Sequence, residues 1–117
     1  MRIDVRGRNT AITDTLRRHV EERFTTRIGK QVSDLAQLDV ELLVEKNPAI
    51  AKDKVAEATL HLKGTTLRAR ESSNDLEHSV DMVADKLARQ VKRHRDKRRG
   101  RREGASIRDP SPPPQSA

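Results

Sequence analysis

Residues 76–99, LEHSVDMVADKLARQVKRHRDKRR, contain the strongest periodic pattern in this chain of 117 residues. The preceding cluster Ser72-Ser73-Asn74-Asp75 is typical of a helix start, and Gly100 is the predicted end of the helix. A helix with one apolar stripe needs a surface to bury it, which the rest of the chain must supply. The stripe recurs at intervals of four, three, four and four and comprises Leu76, Val80, Val83, Leu87 and Val91.

The residues before this helix predict four short strands and one further helix. Apolar and polar side chains alternate in residues 2–6, 38–45, 55–62 and 67–70, as expected for strands with one buried face. Thr13 and Gly29 are the expected caps of the first helix, and Lys63-Gly64-Thr65 is a tight turn between the last two strands. The first helix has an apolar stripe at a spacing of four, formed by Leu16, Val20, Phe24 and Ile28.

This order of elements, β-α-β-β-β-α, predicts an α+β fold with a four-stranded mixed sheet. The first two strands flank a helix and should be parallel, whereas the short connections between the later strands favour antiparallel neighbours. Both helices should cover the same face of the sheet, because this arrangement buries all the apolar stripes together. We expect one domain over residues 1–99, followed by a disordered or linker-like tail of Arg, Gly, Ser and Pro over residues 100–117.

Composition excludes several classes of function. The chain has no cysteine, which removes disulfides, thiolate catalysis and cysteine metal sites. It has neither a long apolar run nor the apolar segment of a signal peptide, so we expect a cytoplasmic protein. Phe24 is the only aromatic residue, and a nucleic acid would therefore be held through phosphate and shape rather than by base stacking.

Positive charge is concentrated at the C-terminal end. Residues 1–85 carry 14 Lys/Arg and 15 Asp/Glu, whereas residues 86–117 carry 11 Lys/Arg and 3 Asp/Glu, a local excess of +8. Such asymmetry indicates an anionic partner such as nucleic acid or a membrane surface. Basic residues of the second helix lie on its solvent face and continue beyond Val91, where the apolar stripe ends. The candidate RNA-binding residues are Lys86, Arg89, Lys92, Arg93, Arg95, Lys97, Arg98 and Arg99.

A solvated surface would explain only part of this pattern. Cations at a helix C-terminus complement the helix dipole, but one or two residues suffice for that, and the run here is longer. Arg23, Arg27 and Lys30, on or just after the first helix, are secondary candidates. Glu21 and Glu22 lie among them, and ordinary ion pairs on a solvated surface are the favoured interpretation of these residues.

No arrangement typical of catalysis or of a cofactor site occurs in the sequence. The four histidines lack the close spacing of metal ligands, and the isolated glycines form no phosphate-binding loop. We therefore expect no catalytic residue, no metal and no cofactor, and a binding protein rather than an enzyme. A ribonuclease that uses one His and one Glu stays open, because such partners need not be close in sequence.

Several stretches of the chain match one known family in their order and spacing. They are Gly7-Arg8-Asn9, Ile12-Thr13-Asp14, Val44-Glu45-Lys46-Asn47, Ala58-Thr59-Leu60-His61-Leu62, Leu67-Arg68-Ala69, Asp75-Leu76 and Asp85-Lys86-Leu87-Ala88-Arg89-Gln90-Val91. Through them, residues 1–98 resemble the ribosome hibernation-promoting factors, also called ribosome-associated inhibitors or sigma-54 modulation proteins. Two positions depart from the family, since His19 and His78 stand where it often has aromatic residues.

The resemblance implies a function that composition cannot show. Family members bind rRNA of the small ribosomal subunit, in the channel used by mRNA and by tRNA at the A and P sites. They thereby block translation and preserve idle ribosomes under stress or in stationary phase. By the same resemblance, the main rRNA contacts here would come from Lys86, Arg89, Lys92, Arg93 and Lys97.

The resemblance also implies the partners. They are the small subunit and the assembled ribosome, with no membrane and no small-molecule substrate. Long members continue into a second, dimerising domain, which does not follow in this sequence, and we expect a monomer.

Two alternatives stay open. A double-stranded RNA or nucleoid-DNA binder would also need a basic face without aromatic residues. The other alternative is a protein-interaction module, as the sigma-modulation name implies. Binding to nucleic acid weakens steeply with salt, whereas binding insensitive to salt would indicate a protein partner.

Overall fold

The computed structural model describes residues 1–46 and 51–104, with side chains up to Lys97. The elements follow the predicted order. They are β1 (Arg2–Arg8), α1 (Asp14–Ile28), β2 (Gln37–Val44), β3 (Lys54–Leu62), β4 (Thr65–Ser73) and α2 (Leu76–Gly104). The expectation of a disordered tail falls mainly on residues 105–117, which lie outside the described part of the chain.

The four strands form one mixed sheet in the order β1-β2-β3-β4. β1 and β2 are parallel, with Val5 opposite Val40, because α1 returns the chain to the end of the sheet where β1 began. The β2–β3 and β3–β4 pairs are antiparallel. The predicted fold class and strand directions are therefore confirmed.

The β3–β4 hairpin is longer than the alternation of apolar residues indicates. Its two-residue loop is Lys63-Gly64, and Gly64 has φ 83°, in the left-handed region that glycine adopts at little cost. β4 continues to Ser73, three residues past the predicted end at Arg70. Polar residues stay in the strand because they pair with β3, as far as Ser73 opposite Lys54.

α1 begins and ends at the predicted residues. The Thr13 backbone is extended, and its hydroxyl oxygen accepts a hydrogen bond from the backbone N–H of Leu16 at 3.1 Å. This is N-cap geometry, and Asp14 places a negative charge at the positive end of the helix dipole. Gly29 follows the last turn, and its N–H donates to the Thr25 carbonyl at 2.9 Å.

α2 begins where predicted but ends later. Asp75 caps it, since its Oδ2 accepts a hydrogen bond from the backbone N–H of His78 at 3.2 Å. The helix passes through Gly100 to Gly104, so the predicted end at Gly100 is wrong by four residues. One glycine costs about 1 kcal/mol in a helix, and the arginines on both sides are good helix formers. Within the described residues, neither helix has an apolar stretch long enough to cross a membrane.

One hydrophobic core lies between the sheet and both helices. Phe24 of α1, Leu60 of β3 and Leu87 of α2 are fully buried in it together. Both helices therefore cover the same face of the sheet, as predicted. The buried Ser79 hydroxyl donates to the Lys54 carbonyl at 2.7 Å, which fixes the first turn of α2 against β3.

The other face of the sheet is largely open and polar, apart from one buried apolar pair, Leu43 and Val55. Asp4 of β1 and Asp39 of β2 lie opposite each other, and the Gln37 amide donates to both carboxylates, at 2.8 and 2.9 Å. His61 Nε2 lies 3.1 Å from the other oxygen of Asp39. This network offsets the repulsion between the two carboxylates, which face each other directly across the strands.

Candidate nucleic-acid interface

α2 presents different side chains to its two neighbours. Its apolar stripe is buried against the sheet, so one flank of the helix faces α1 and the other faces β4, an edge strand. By helical spacing, the α1 flank comprises Asp81, Asp85, Lys92 and Asp96. The β4 flank comprises Lys86, Arg89, Gln90, Arg93, His94 and Lys97.

Two carboxylates of the α1 flank are neutralised by α1. Asp81 Oδ1 lies 2.9 Å from His19 Nε2 and 2.9 Å from Arg23 Nε. Asp85 Oδ1 lies 2.8 Å from Arg27 Nη2. Arg23 and Arg27, two of the secondary candidates, thus already have acidic partners within the fold, and these partners lie on α2 rather than at Glu21 or Glu22.

The β4 flank forms one wall of a groove with a volume of about 440 Å³. β4 forms the other wall through Thr65 and Leu67. Four of the predicted RNA-binding residues meet here, because spacings of three and four place them on one side of the helix. They are Lys86, Arg89, Arg93 and Lys97.

The cation at one end of this groove has an acidic partner, whereas the cations toward the other end do not. Lys86 Nζ lies 3.2 Å from Glu71 Oε2, an ion pair between α2 and β4. Within the described residues, no carboxylate lies within 4.0 Å of the charged groups of Arg89, Arg93 or Lys97. These three neighbouring cations repel one another and would be stabilised by an anionic ligand.

The other predicted residues do not line the groove. Lys92 Nζ lies 3.7 Å from Asp96 Oδ2 on the α1 flank, and Arg95 is exposed. Lys30 is exposed just beyond α1. Arg98 and Arg99 belong to α2, but their side chains lie outside the described part of the chain.

Four lining residues were not among the predictions. Gln90 and His94 could have been found, since they occupy helical positions adjacent to Lys86, Arg93 and Lys97. Gln90 also fixes the groove, because its Nε2 donates to the Arg68 carbonyl of the edge strand at 2.7 Å. Predicting Thr65 and Leu67 would have required knowing that α2 lies beside β4, which the sequence does not give.

The side chains of the groove are mainly cationic or neutral. Cations and neutral donors line it, and the one aromatic residue of the chain, Phe24, is fully buried in the core and unavailable for base stacking. Within the described residues, no group of three His, Asp or Glu side chains is placed to hold a metal ion. The fold and the groove define a small α+β domain with a cationic surface groove.

Comparison with known protein families identifies the chain more closely. Residues 3–99 match the family described as Sigma 54 modulation protein / S30EA ribosomal protein. The chain belongs to this family.

Individual relatives agree with this assignment. The chain is 34% identical over 104 residues to a ribosome hibernation promoting factor of Azotobacter vinelandii, covering 89% of this chain and 92% of that protein. It is 33% identical over 97 residues to the factor of Escherichia coli K12, covering 83% and 96%. A ribosome hibernation promotion factor of Picosynechococcus is 32% identical over 102 residues, which are 87% of this chain but 53% of that longer protein.

Solved structures share the fold. The N-terminal domain of Protein Y from Thermus thermophilus has a TM-score of 0.67 and 31% identity, covering 80% of this chain and 99% of that one. A ribosomal subunit interface protein from Coxiella burnetii has a TM-score of 0.66 and 22% identity, covering 82% and 99%.

Proposed function

We propose that this protein is a cytoplasmic ribosome hibernation factor. It binds rRNA of the small subunit as a monomer, in the channel used by mRNA and by tRNA at the A and P sites. Translation is blocked by occupancy, with no covalent step, and idle ribosomes are preserved during stress or stationary phase. Membership of the family and the names of its relatives support this function.

The observation that carries the proposal is the row of unneutralised cations on the β4 flank. Arg89, Arg93 and Lys97 have no carboxylate partner within the described residues, whereas the arginines of α1 that face α2 do. Each phosphate neutralised by such a cation releases condensed counterions, which favours binding at low salt. The proposed main contacts are therefore these three residues together with Lys86.

The remaining candidates extend the interface with smaller contributions. They include Lys92, Arg95, Arg98 and Arg99, which also belong to α2. Arg23, Arg27 and Lys30 would contribute only where rRNA competes with their present environment, since two of them are already paired.

The test is reversal of two groove cations. Arg89→Glu with Arg93→Glu should leave folding nearly intact, because neither side chain is buried in the core. Binding to purified small subunits should weaken steeply, and the slope of log K against log salt should flatten by about 0.7–0.9 per lost phosphate contact. The matched control is Arg17→Glu with Arg18→Glu, an equal charge change at exposed positions of α1.

Inhibition of in-vitro translation should fall in parallel with binding. Wild-type protein should also be displaced from small subunits by mRNA and tRNA, as expected for competitors in one channel. A folded double variant that binds and inhibits like wild type would remove the groove from the interface.

Competitors distinguish the alternative binding functions. The same cations would attract any phosphate backbone, so duplex RNA and duplex DNA are included at equal phosphate concentration. If these duplexes displace the protein as readily as small subunits do, a general duplex binder replaces the ribosomal proposal. Binding that does not change with salt would instead favour a protein partner.

A further inference from the structure

The open face of the sheet is divided by charge. Its acidic residues all lie on the first three strands and are Asp4, Asp39, Glu41 and Glu57. The open-face positions of β4 are Thr66, Arg68, Arg70 and Ser72, with no acid among them. The acid that β4 does carry, Glu71, points to the helix side and is paired with Lys86. The edge of the open face at β4 is therefore cationic while its centre is acidic.

Arg68 is the arginine of this edge that lies nearest the groove. Its backbone carbonyl accepts the hydrogen bond from Gln90, a residue that lines the groove. Because side chains alternate along a strand, its side chain points to the open face, and only the β4 backbone separates it from the groove. β4 is an edge strand, so no further strand shields it.

Arg68 is also available for a ligand. It is exposed, and its direct neighbour on β3 is the uncharged Thr59. Within the described residues, no carboxylate lies within 4.0 Å of its guanidinium. Arg70 differs, since Glu57 lies directly opposite it on β3.

We infer that the rRNA interface crosses the edge of the sheet and that Arg68 binds a phosphate on the far side of β4. The inference rests on the proposed function, because it extends the same polyanion from the α2–β4 groove around β4. The groove cations bind the backbone on one side of the edge strand and Arg68 binds it on the other. The acidic central strands β2 and β3 limit the contact to this edge by repelling phosphates from the centre of the face.

The experiment compares single variants that each remove one charge. Arg68→Gln is measured with Arg93→Gln from the groove and with Arg2→Gln as the control. Arg2 is exposed on the same open face but on β1, three strand spacings or about 14 Å away. Binding to purified small subunits is measured across a salt series, and thermal melts verify that each variant is folded.

Arg68→Gln should weaken binding about tenfold, the loss of one charge-assisted contact. Its salt slope should flatten by about 0.7–0.9, and Arg68→Lys should recover much of the affinity because it keeps the charge. Arg2→Gln should stay within about twofold of wild type.

Two results would overturn the inference about Arg68 while leaving the proposed function intact. In the first, Arg93→Gln weakens binding while Arg68→Gln does not, so the groove binds rRNA and the sheet edge does not. In the second, Arg2→Gln weakens binding as much as Arg68→Gln, so the effect belongs to the whole face. If neither Arg93→Gln nor Arg68→Gln weakens binding, the proposed site in the groove fails together with the inference.

Discussion

The two flanks of α2 carry opposite kinds of charged side chain, mainly carboxylates on the α1 flank and cations on the β4 flank, and they differ in what faces them. On the α1 flank, Asp81 and Asp85 each contact an arginine of α1 at 2.8–2.9 Å. On the β4 flank, Arg89 and Arg93 face an edge strand that offers uncharged Thr65 and Leu67. Neighbouring elements, rather than residue type, therefore separate structural arginines such as Arg23 and Arg27 from those available to a ligand.

The energetics of the two flanks differ accordingly. Partly exposed ion pairs such as Arg23–Asp81 contribute about 0–1 kcal/mol each, and their main effect is to fix how α1 and α2 lie against each other. Uncompensated cations on the β4 flank gain nothing from the fold itself. They weaken the isolated domain slightly through repulsion and strengthen its complex with a polyanion.

The largest expected effect lies between the flanks, in the apolar stripe that holds both in place. Leu87 is fully buried under α2, and Leu87→Ala should lower the free energy of unfolding by about 2–5 kcal/mol through lost burial and a residual cavity. Denaturant melts measure the change. A loss below about 0.5 kcal/mol would mean that the stripe does not position the two flanks.

Much of the fold could be predicted from periodicity, because burial imposes its own spacing on the sequence. Leu16 to Ile28 and Val80 to Val91 mark the two helices, and the alternation around Val40 marks a central strand. The ends of the helices and strands were harder to predict from the sequence. β4 extends to Ser73 through backbone pairing with β3. α2 extends through Gly100, because the arginines on both sides of this glycine are good helix formers.

Only half of the residues that line the candidate site could be predicted from the sequence. Spacing alone placed Lys86, Arg89, Lys92, Arg93 and Lys97 on the solvent face of the helix, and the structure brings all of them except Lys92 into one groove. Lys92 was grouped with them because the sequence does not show which side of the helix faces α1, although its partner Asp96, four residues later, is visible in the sequence. The β4 wall depends on strand order, which a helical pattern does not contain.

A smaller effect should follow from breaking the pairs of the α1 flank. Asp81→Ala removes the carboxylate that both His19 and Arg23 contact, and it should destabilise the domain by about 1 kcal/mol or less, since the groups are partly exposed. Affinity for small subunits should not fall, because the β4 flank is unchanged and the net charge becomes more positive. Thermal melts and subunit binding measure the two effects.

The control for this variant is Glu77→Ala, an equal change of charge in the first turn of α2, at an exposed position. Within the described residues, Glu77 has no cation within 4.0 Å. If Asp81→Ala lowers affinity while Glu77→Ala does not, the α1 flank takes part in binding and the distinction between the flanks is wrong.

The smallest expected effect comes from Lys92, the predicted contact that the structure places away from the groove. Its pair with Asp96 is long, at 3.7 Å, and the order Lys before Asp is the less favourable one for the helix dipole. Lys92→Ala should therefore change the free energy of unfolding by less than about 0.5 kcal/mol. It should weaken subunit binding by about threefold or less, whereas Arg93→Ala, one residue away and equal in charge, should weaken it by about tenfold. Equal losses for the two variants would show that rRNA covers both flanks, and the groove would then be only one part of a wider basic surface.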